Sequence, residues 1–246
     1  MAAVHGRKAA VYFQGADLSV LLKEAEMSID ADVADVTTFA DVTWRKKIAG
    51  LLGGEFTASG FYDPTTVTMA NSIVLPDTGI TTLTYCPGDS SAVGDLARLC
   101  KVLGTSYAET SSTNDAVAAA WSAQITGAVA FGYLLHPLAE DTNTTTGASK
   151  DDGAATATGW TAHLHVTAID AGSWVVKLQD SADNSAWADV TGGAFTAVTV
   201  VSGERIVSAT STTTLRRYVR YVATRTGGTA GDGITFALAI ARSNVT

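Results

Sequence analysis

The chain has 246 residues, of which 46% are hydrophobic and 16% charged, with a formal net charge of −8. Many apolar and few charged side chains exclude a disordered chain, and the acidic balance excludes the basic footprint of a nucleic-acid binder. Two cysteines, Cys86 and Cys100, are too few for a disulfide scaffold and fit a reduced, cytoplasmically made protein, and Met1–Lys8 carries no apolar signal region.

In chain order, the first pattern is a strand in which Ala9, Val11 and Phe13 alternate with Ala10, Tyr12 and Gln14. Leu18–Leu22 reads as a short turn of helix. Asp30, Asp32 and Asp35 have the spacing of a calcium loop but lack its glycine and terminal glutamate, so they read as solvated loop acids. A glycine-containing loop over about 36–54 follows, with Phe39, Trp44, Leu51 and Leu52 beside the basic run Arg45, Lys46 and Lys47. Long loops rich in such residues usually dock on something; a second copy of this chain is preferred to the loop's own core. Phe56, Ala58, Gly60 and Tyr62 then alternate with Thr57, Ser59 and Phe61 as another strand.

Val93, Leu96, Ala97, Cys100 and Leu103 follow the i, i+3, i+4, i+7 rule, with Ser90 or Ser91 as a cap and Gly104 as a stop. This spacing predicts one α-helix over about 91–103. Between Asp115 and Glu140 no residue is charged, which is long enough for a membrane span. Parity argues for a strand instead, because Val117, Trp121, Ile125, Val129, Phe131, Tyr133 and Leu135 are all odd-numbered while the even positions are nearly all small or polar. The expectation is one long strand, or two collinear strands kinked near Gly127 or Gly132, with no membrane insertion.

The polar run Asp141–Gly153 and the Ala/Thr/Gly stretch after it read as a linker. The expected domains are therefore residues 1–140, a linker over 141–158, and a small β-sandwich over 159–246. Residues 1–150 hold 9 basic and 16 acidic side chains and residues 151–246 hold 7 and 8, so the first domain carries nearly all the acidity.

The search for chemistry is short. His163 and His165 share one face of a strand, yet no further Cys, His or acid lies near enough in sequence to complete a metal site, and a solvated strand face is the preferred reading. The glycines at 228, 231 and 233 precede a strand, so they form a hairpin turn and no phosphate cradle. Arg216, Arg217, Arg220 and Arg225 alternate across two faces, as in a salt-bridging strand or an interface. No nucleophile elbow, P-loop or Cys-x-x-Cys pair is present, so no enzyme activity, cofactor or metal is expected.

Several segments carry a resemblance: His5–Lys8, Asp17–Ser19, Asp35–Phe39, Ile48–Leu51, Gly60–Asp63, Gly132–Pro137, Ala162–Thr167, Gln179–Trp187 and Arg217–Arg220. Together they resemble the tail tube, or major tail, proteins of long-tailed bacteriophages, with Ala40 standing where that pattern has glycine. The resemblance implies a mainly β fold: a tail-tube-type β-sandwich or barrel with one helix, followed by a second small β-sandwich that decorates the outside. It implies self-assembly into stacked, hexameric rings that form a conduit for DNA, which transits without specific binding. It implies a place in the virion tail after synthesis in the host cytoplasm, with tape-measure, tail-terminator and distal-tail proteins as partners. The arm over residues 1–8 and the loop over about 36–54 would bridge subunits, making Val4, His5, Arg7, Lys8, Thr37, Phe39, Trp44, Arg45, Lys46, Lys47, Leu51 and Leu52 the interface candidates. The alternatives are a capsid decoration or head-fibre protein, and a carbohydrate-binding module using Trp174 and Trp187.

Overall fold

The computed structural model describes residues 6–41, 43–62 and 79–245. After a 3-10 turn at Gly6–Lys8, the first part supplies β1 (Ala10–Phe13), β2 (Ala16–Asp17), β3 (Leu22–Asp35), β4 (Lys47–Phe61), β5 (Thr81–Cys86), β6 (Leu96–Ser112) and β7 (Asp115–Asp141). Two short strands follow, β8 (Thr145–Thr146) and β9 (Lys150–Asp151). The rest is β10 (Thr161–Ile169), β11 (Ser173–Ser181), β12 (Trp187–Ala194), β13 (Ser202–Val207), β14 (Tyr218–Thr226) and β15 (Ile234–Ala241). The fold is mainly β, as expected.

A ten-stranded antiparallel sheet runs β13-β10-β15-β7-β6-β5-β1-β2, and β4 branches from β7 and carries β3. A five-stranded sheet, β12-β11-β14 with β8 and β9 both on β14, covers one end of it. The larger sheet curls without closing into a barrel. Residues read as a linker thus add two short strands to the smaller sheet, and strands on either side of them share the larger one.

The two sheets enclose a first core containing Trp160, Leu164, Val166, Trp174, Leu178 and Phe236. Burying each such side chain is worth about 1.5–3 kcal/mol. The opposite face of β10 and β15 meets β1, β5 and β6 around a third core rich in Ala97, Ala130, Ala237, Ala239 and Ala241, whose small side chains let the layers approach. The second core, between β1 and β5 on one side and β4 and β7 on the other, is dominated by Phe13, Phe56 and Trp121. Their rings make close edge contacts, at 4.8 Å between centroids for Phe13 and Trp121.

The helix expected over 91–103 is absent: Leu96–Ser112 is strand β6, preceded by turns around Gly94, whose φ is +99°. The reason is two-sided burial. Ala97 and Leu99 enter the third core while Cys100 and Val102 enter the second, so the apolar run has helix-like spacing without a helix. At 18–22 the chain makes a turn, closed by the Leu22 N–H donating to the Leu18 carbonyl at 3.3 Å.

The long strand is present and longer than expected, at 27 residues. Its kink falls at Gly127, with φ +80°, where residues 127–129 bulge opposite Cys100. Before the bulge, odd residues Ala119, Trp121 and Ala123 are buried and the even face is open; after it the even residues Ala130 and Leu134 enter the third core while odd Leu135 enters the first and Phe131 is exposed.

A buried ion pair ties the sheets together near the C-terminus. Arg242 Nε donates to Asp152 Oδ2 at 2.7 Å, and both side chains are 12% exposed. The remaining guanidinium donors reach Thr156 Oγ1 and the carbonyls of Leu215, Arg216 and Arg217, while the Tyr133 hydroxyl donates to the same Asp152 oxygen at 2.6 Å. Arg242→Ala leaves that carboxylate and three carbonyls short of donors, so unfolding stability falls by about 3–5 kcal/mol. The exposed pair Lys177–Asp189 loses about 1 kcal/mol or less on Lys177→Ala. Urea denaturation of both variants reads the contrast as a shift in midpoint.

Candidate functional site

β3 and β4 pair along their whole length, from Leu22 opposite Gly60 to Asp35 opposite Lys47. Only the base of this hairpin is backed by the body, because β4 pairs with β7 from Phe61 opposite Ala118 to Glu55 opposite Gln124 and no further. The parting point lies where β7 prepares its bulge. Gly54 packs closely between the Ser28 carbonyl and the Ile125 side chain, a space that any side chain would overfill. Beyond it the two strands project as a ribbon of about 20 Å at roughly 3.3 Å per residue.

The ribbon's tip is held by short polar side chains. The Thr37 N–H donates to Asp35 Oδ1 at 2.9 Å, the Lys46 N–H donates to Thr37 Oγ1 at 2.9 Å, and the Thr38 N–H donates to Asp41 Oδ2 at 3.0 Å. The Thr37 donors hold the Asp35 carboxyl below its ordinary range, and the Lys46 ammonium, followed by the Thr38 donors, does the same for Asp41. These Asx and Ser/Thr turns shape the loop without any apolar core.

No described residue covers the apolar side chains of the ribbon. Phe39, Trp44, Leu51 and Leu52 are 112%, 84%, 82% and 76% exposed, with Ile29, Val33, Val36 and Ile48 also exposed. A two-stranded ribbon is at best marginal alone in water, and a cluster of this kind marks an interaction surface. The stretch read as a loop over 36–54 is therefore loop to 46 and strand from 47, and it does not fold back on the protein's own core.

The interface candidates divide as follows. Thr37, Phe39, Trp44, Arg45, Lys46, Lys47, Leu51 and Leu52 all lie exposed on the ribbon, with Lys46 paired to Asp41. Arg7 and Lys8 sit apart from them in the 3-10 turn, where Lys8 Nζ meets Asp89 Oδ2 at 3.0 Å and the Ser90 hydroxyl donates to the Lys8 carbonyl. Val4 and His5 lie outside the described residues. Asp30, Asp32 and Asp35 belong to β3 and are exposed, as strand residues where loop acids were expected.

Two further features escaped the sequence reading. The base of the ribbon, β7 and the outer part of β6 form a four-stranded sheet, β3-β4-β7-β6, with both margins unpaired among the described residues. β3 bonds only β4, and β5 pairs with β6 only between residues 98 and 102. The solvent face of this sheet follows from its cross-strand partners. Glu24 opposes Ser59 and Ser28 opposes Glu55; Thr57 lies between Glu26 and Ser122; Ser106 opposes Ser122 and Ala108 opposes Ala120. The result is a smooth face of hydroxyls and alanines with three carboxylates, Glu24, Glu26 and Glu55. Lys23 lies at one end, its ammonium 3.9 Å from the Phe61 ring centroid.

Elsewhere, two of the four grouped arginines make ion pairs, just before β14 begins. Arg216 pairs with Asp180 at 3.2 Å and Arg217 with Asp151 at 2.6 Å, while Arg220 lies 4.0 Å from the Trp187 ring. Trp174 is 0% exposed, which removes it from any sugar-binding surface. The glycines at 228, 231 and 233 do form a turn between β14 and β15, fastened by Thr229 and Asp232. His163 and His165, read as solvated, are fully buried, because β10 is covered on both faces. Among the described residues no group of three His, Cys, Asp or Glu side chains is placed to hold a metal ion, and no helix is long and apolar enough to cross a membrane.

Because the ribbon's apolar residues touch no core, Phe39→Ser with Trp44→Ser changes the unfolding free energy of the dilute chain by less than about 0.5 kcal/mol. Phe56→Ala, by contrast, costs about 3–5 kcal/mol. Chemical denaturation at low protein concentration measures both.

No protein-family profile and no curated protein sequence matches the chain. Among solved structures it is similar to a chain in the virion of a native gene transfer agent particle, at 15% identity and TM-score 0.41, covering 52% of this chain and 98% of that one. A chain from the tail of an empty gene transfer agent particle, refined helically with C6 symmetry, gives 16% identity and TM-score 0.41 over 52% and 98%. The SPP1 Dit protein, titled a paradigm of the hub adsorption apparatus of phages infecting Gram-positive bacteria, gives 12% identity and TM-score 0.34 over 94% and 98%.

Proposed function

We propose that this chain is a structural subunit of a phage-type tail that assembles into stacked six-membered rings and so builds a tube for DNA. The observation that carries the reading is the ribbon: a two-stranded projection whose apolar side chains are left exposed among the described residues and suit cover by another chain. The unpaired margins of the β3-β4-β7-β6 sheet support it further. They are two different edges on opposite sides, so edge pairing between copies is heterologous and gives rings when the rotation closes. The segments resembling tail tube proteins include the Asp35–Phe39 tip and Ile48–Leu51 of the ribbon itself.

Magnitudes favour cooperative assembly over pairwise binding. Covering Phe39, Trp44, Leu51 and Leu52 is worth about 6–12 kcal/mol gross, against an association cost of about 4–15 kcal/mol. One ribbon therefore does little alone, and edge pairing plus several ribbons per ring must act together. In this reading the larger sheet, shared by residues 1–140 and by β10, β13 and β15, forms the tube wall, and the smaller sheet, to which residues 141–158 add β8 and β9, faces outward. Tape-measure, terminator and distal-tail proteins would then meet the tube's interior and ends.

The solvent face bearing Glu24, Glu26 and Glu55 suits the inner wall. A passing polyanion is retained only where cations release its counterions, and this face is short of them. Negative-stain microscopy with sedimentation velocity tests the assembly: six-fold rings or tubes are expected, lost when Phe39 and Trp44 are both alanine. A stable trimer that forms no tubes overturns the reading in favour of a capsid decoration protein. For the wall, Glu24→Lys with Glu26→Lys should still assemble but retain duplex DNA at low salt, with retention falling as salt rises. Co-sedimentation of tubes with DNA measures this, and equal retention by the unaltered tubes counts against the assignment.

A further inference from the structure

Among the described residues His163 and His165 are fully buried, at 0% and 1% exposure. They project from β10 into the third core, on the face opposite Leu164 and Val166. Across that core stands β5, and the Thr84 hydroxyl oxygen lies 3.1 Å from His163 Nδ1 and 2.9 Å from His165 Nε2. One hydroxyl carries one hydrogen, so it donates to one imidazole and accepts an N–H from the other. The ring that accepts the Thr84 proton must be neutral for the bridge to form, and burial disfavours charge on either ring.

The bridge closes a seam. The larger sheet curls until β1, β2 and β5 lie against β10 and β13, yet no ladder of backbone hydrogen bonds joins those ends. The tight turn at Gln14 and Gly15, with φ +45° and +81°, fits against the Ser202 and Val166 backbones so closely that a Cβ on Gly15 would stand 2.6 Å from the Ser202 carbonyl oxygen. Side-chain contact and this bridge therefore do what a ladder does elsewhere.

Among the described residues, the Leu83 backbone carbonyl beside His163 is the one neighbour that favours an added proton. β13 sets Arg205 opposite His163, and β15 sets Ala239 and Ala237 opposite the two histidines. From β1 the Tyr12 ring stands 5.9 Å from His165, and β5 adds Cys86, whose thiol burial pushes up to about 12. β6 contributes Ala97 and Leu99. Among the described residues no carboxylate acts on either imidazole. His163 Nε2, His165 Nδ1, Thr82 Oγ1 and Arg205 Nε are all buried without a partner.

We propose that the His163–Thr84–His165 bridge is a proton-operated latch that holds the curled sheet closed near neutral pH and parts β5 from β10 in mild acid. Burial lowers both imidazoles, His165 to about 3, and His163 well below its ordinary value with help from His165 and Arg205. Both are thus neutral in the closed state, whereas opened rings take up protons below about pH 6.5. The closed state is favoured undiminished above that value and loses ground as pH falls from there toward about 3. Two protons shift the closed-to-open ratio by up to about 100-fold per pH unit.

Hydrogen exchange of the full chain at about pH 7.5 and about pH 5, corrected for intrinsic rates, tests the latch. The expected result is protection lost at 82–86 and 161–166 in acid while 174–178 in the first core stays protected. His163→Asn with His165→Gln keeps a polar atom near Nδ1 and Nε2 without a titrating proton, and should make seam protection independent of pH. Should that variant not fold, Thr84→Val removes the bridge alone and should expose the seam already at about pH 7.5. His136→Gln, at the half-buried histidine stacked on Tyr221 and Phe236, should leave the seam's pH response unchanged. Seam protection that is flat in the unaltered chain, that falls only in parallel with 174–178, or that responds normally in the Asn/Gln variant overturns the proposal.

Discussion

One strand has to satisfy neighbours on two edges and three cores, and most of the architecture follows from how β7 does so. Along its first half β7 pairs with β4 and β6; along its second half it pairs with β15 and β6. A regular strand of 27 residues would present one unchanging face to each side. The bulge at Gly127 breaks that regularity, and beyond it both faces are covered, so a strand that buries Trp121 in the second core buries Leu134 in the third and Leu135 in the first. Glycine is needed there because φ is +80°, a left-handed value that a side chain resists. The same displacement ends the β4–β7 ladder and frees the ribbon from the body.

Polar groups inside the molecule are handled in two contrasting ways. At the C-terminal end, Arg242 spreads its donors over Asp152, Thr156 and three backbone carbonyls. A buried charge so fully bonded is costly to break though not necessarily a net gain to have made. At the seam, two imidazoles share one hydroxyl and four polar atoms go without partners. A half-satisfied buried network is the more sensitive kind, because each added charge meets low dielectric and no counter-charge. Rigid closure and poised closure thus sit at different places in the same curled sheet.

The outside of the molecule shows a similar division. Apolar side chains that a solitary protein would bury are gathered on the ribbon, and the carboxylates Glu24, Glu26 and Glu55 share the adjoining sheet face with hydroxyls and alanines. Association there rests on apolar area and backbone edges, both short-range and weakly affected by salt. The charge on the sheet face acts at longer range and disfavours a polyanion.

From sequence alone, the β character, the long strand, a glycine kink at Gly127 or Gly132 and the glycine turn before β15 were legible. Each rests on local rules: side-chain parity and turn chemistry. The exposure-prone set Phe39, Trp44, Leu51 and Leu52 was legible too, as bulk placed among polar turn residues. The structure alone decided that Leu96–Ser112 is a strand, since a segment buried on both faces loses the alternation that distinguishes strand from helix. It alone buried His163 and His165, because a strand's second face is covered or bare according to where distant strands travel. The unpaired margins of β3 and β6 were likewise beyond local reading. An edge is defined by the neighbour it lacks, and the chain's order does not specify which strands become neighbours.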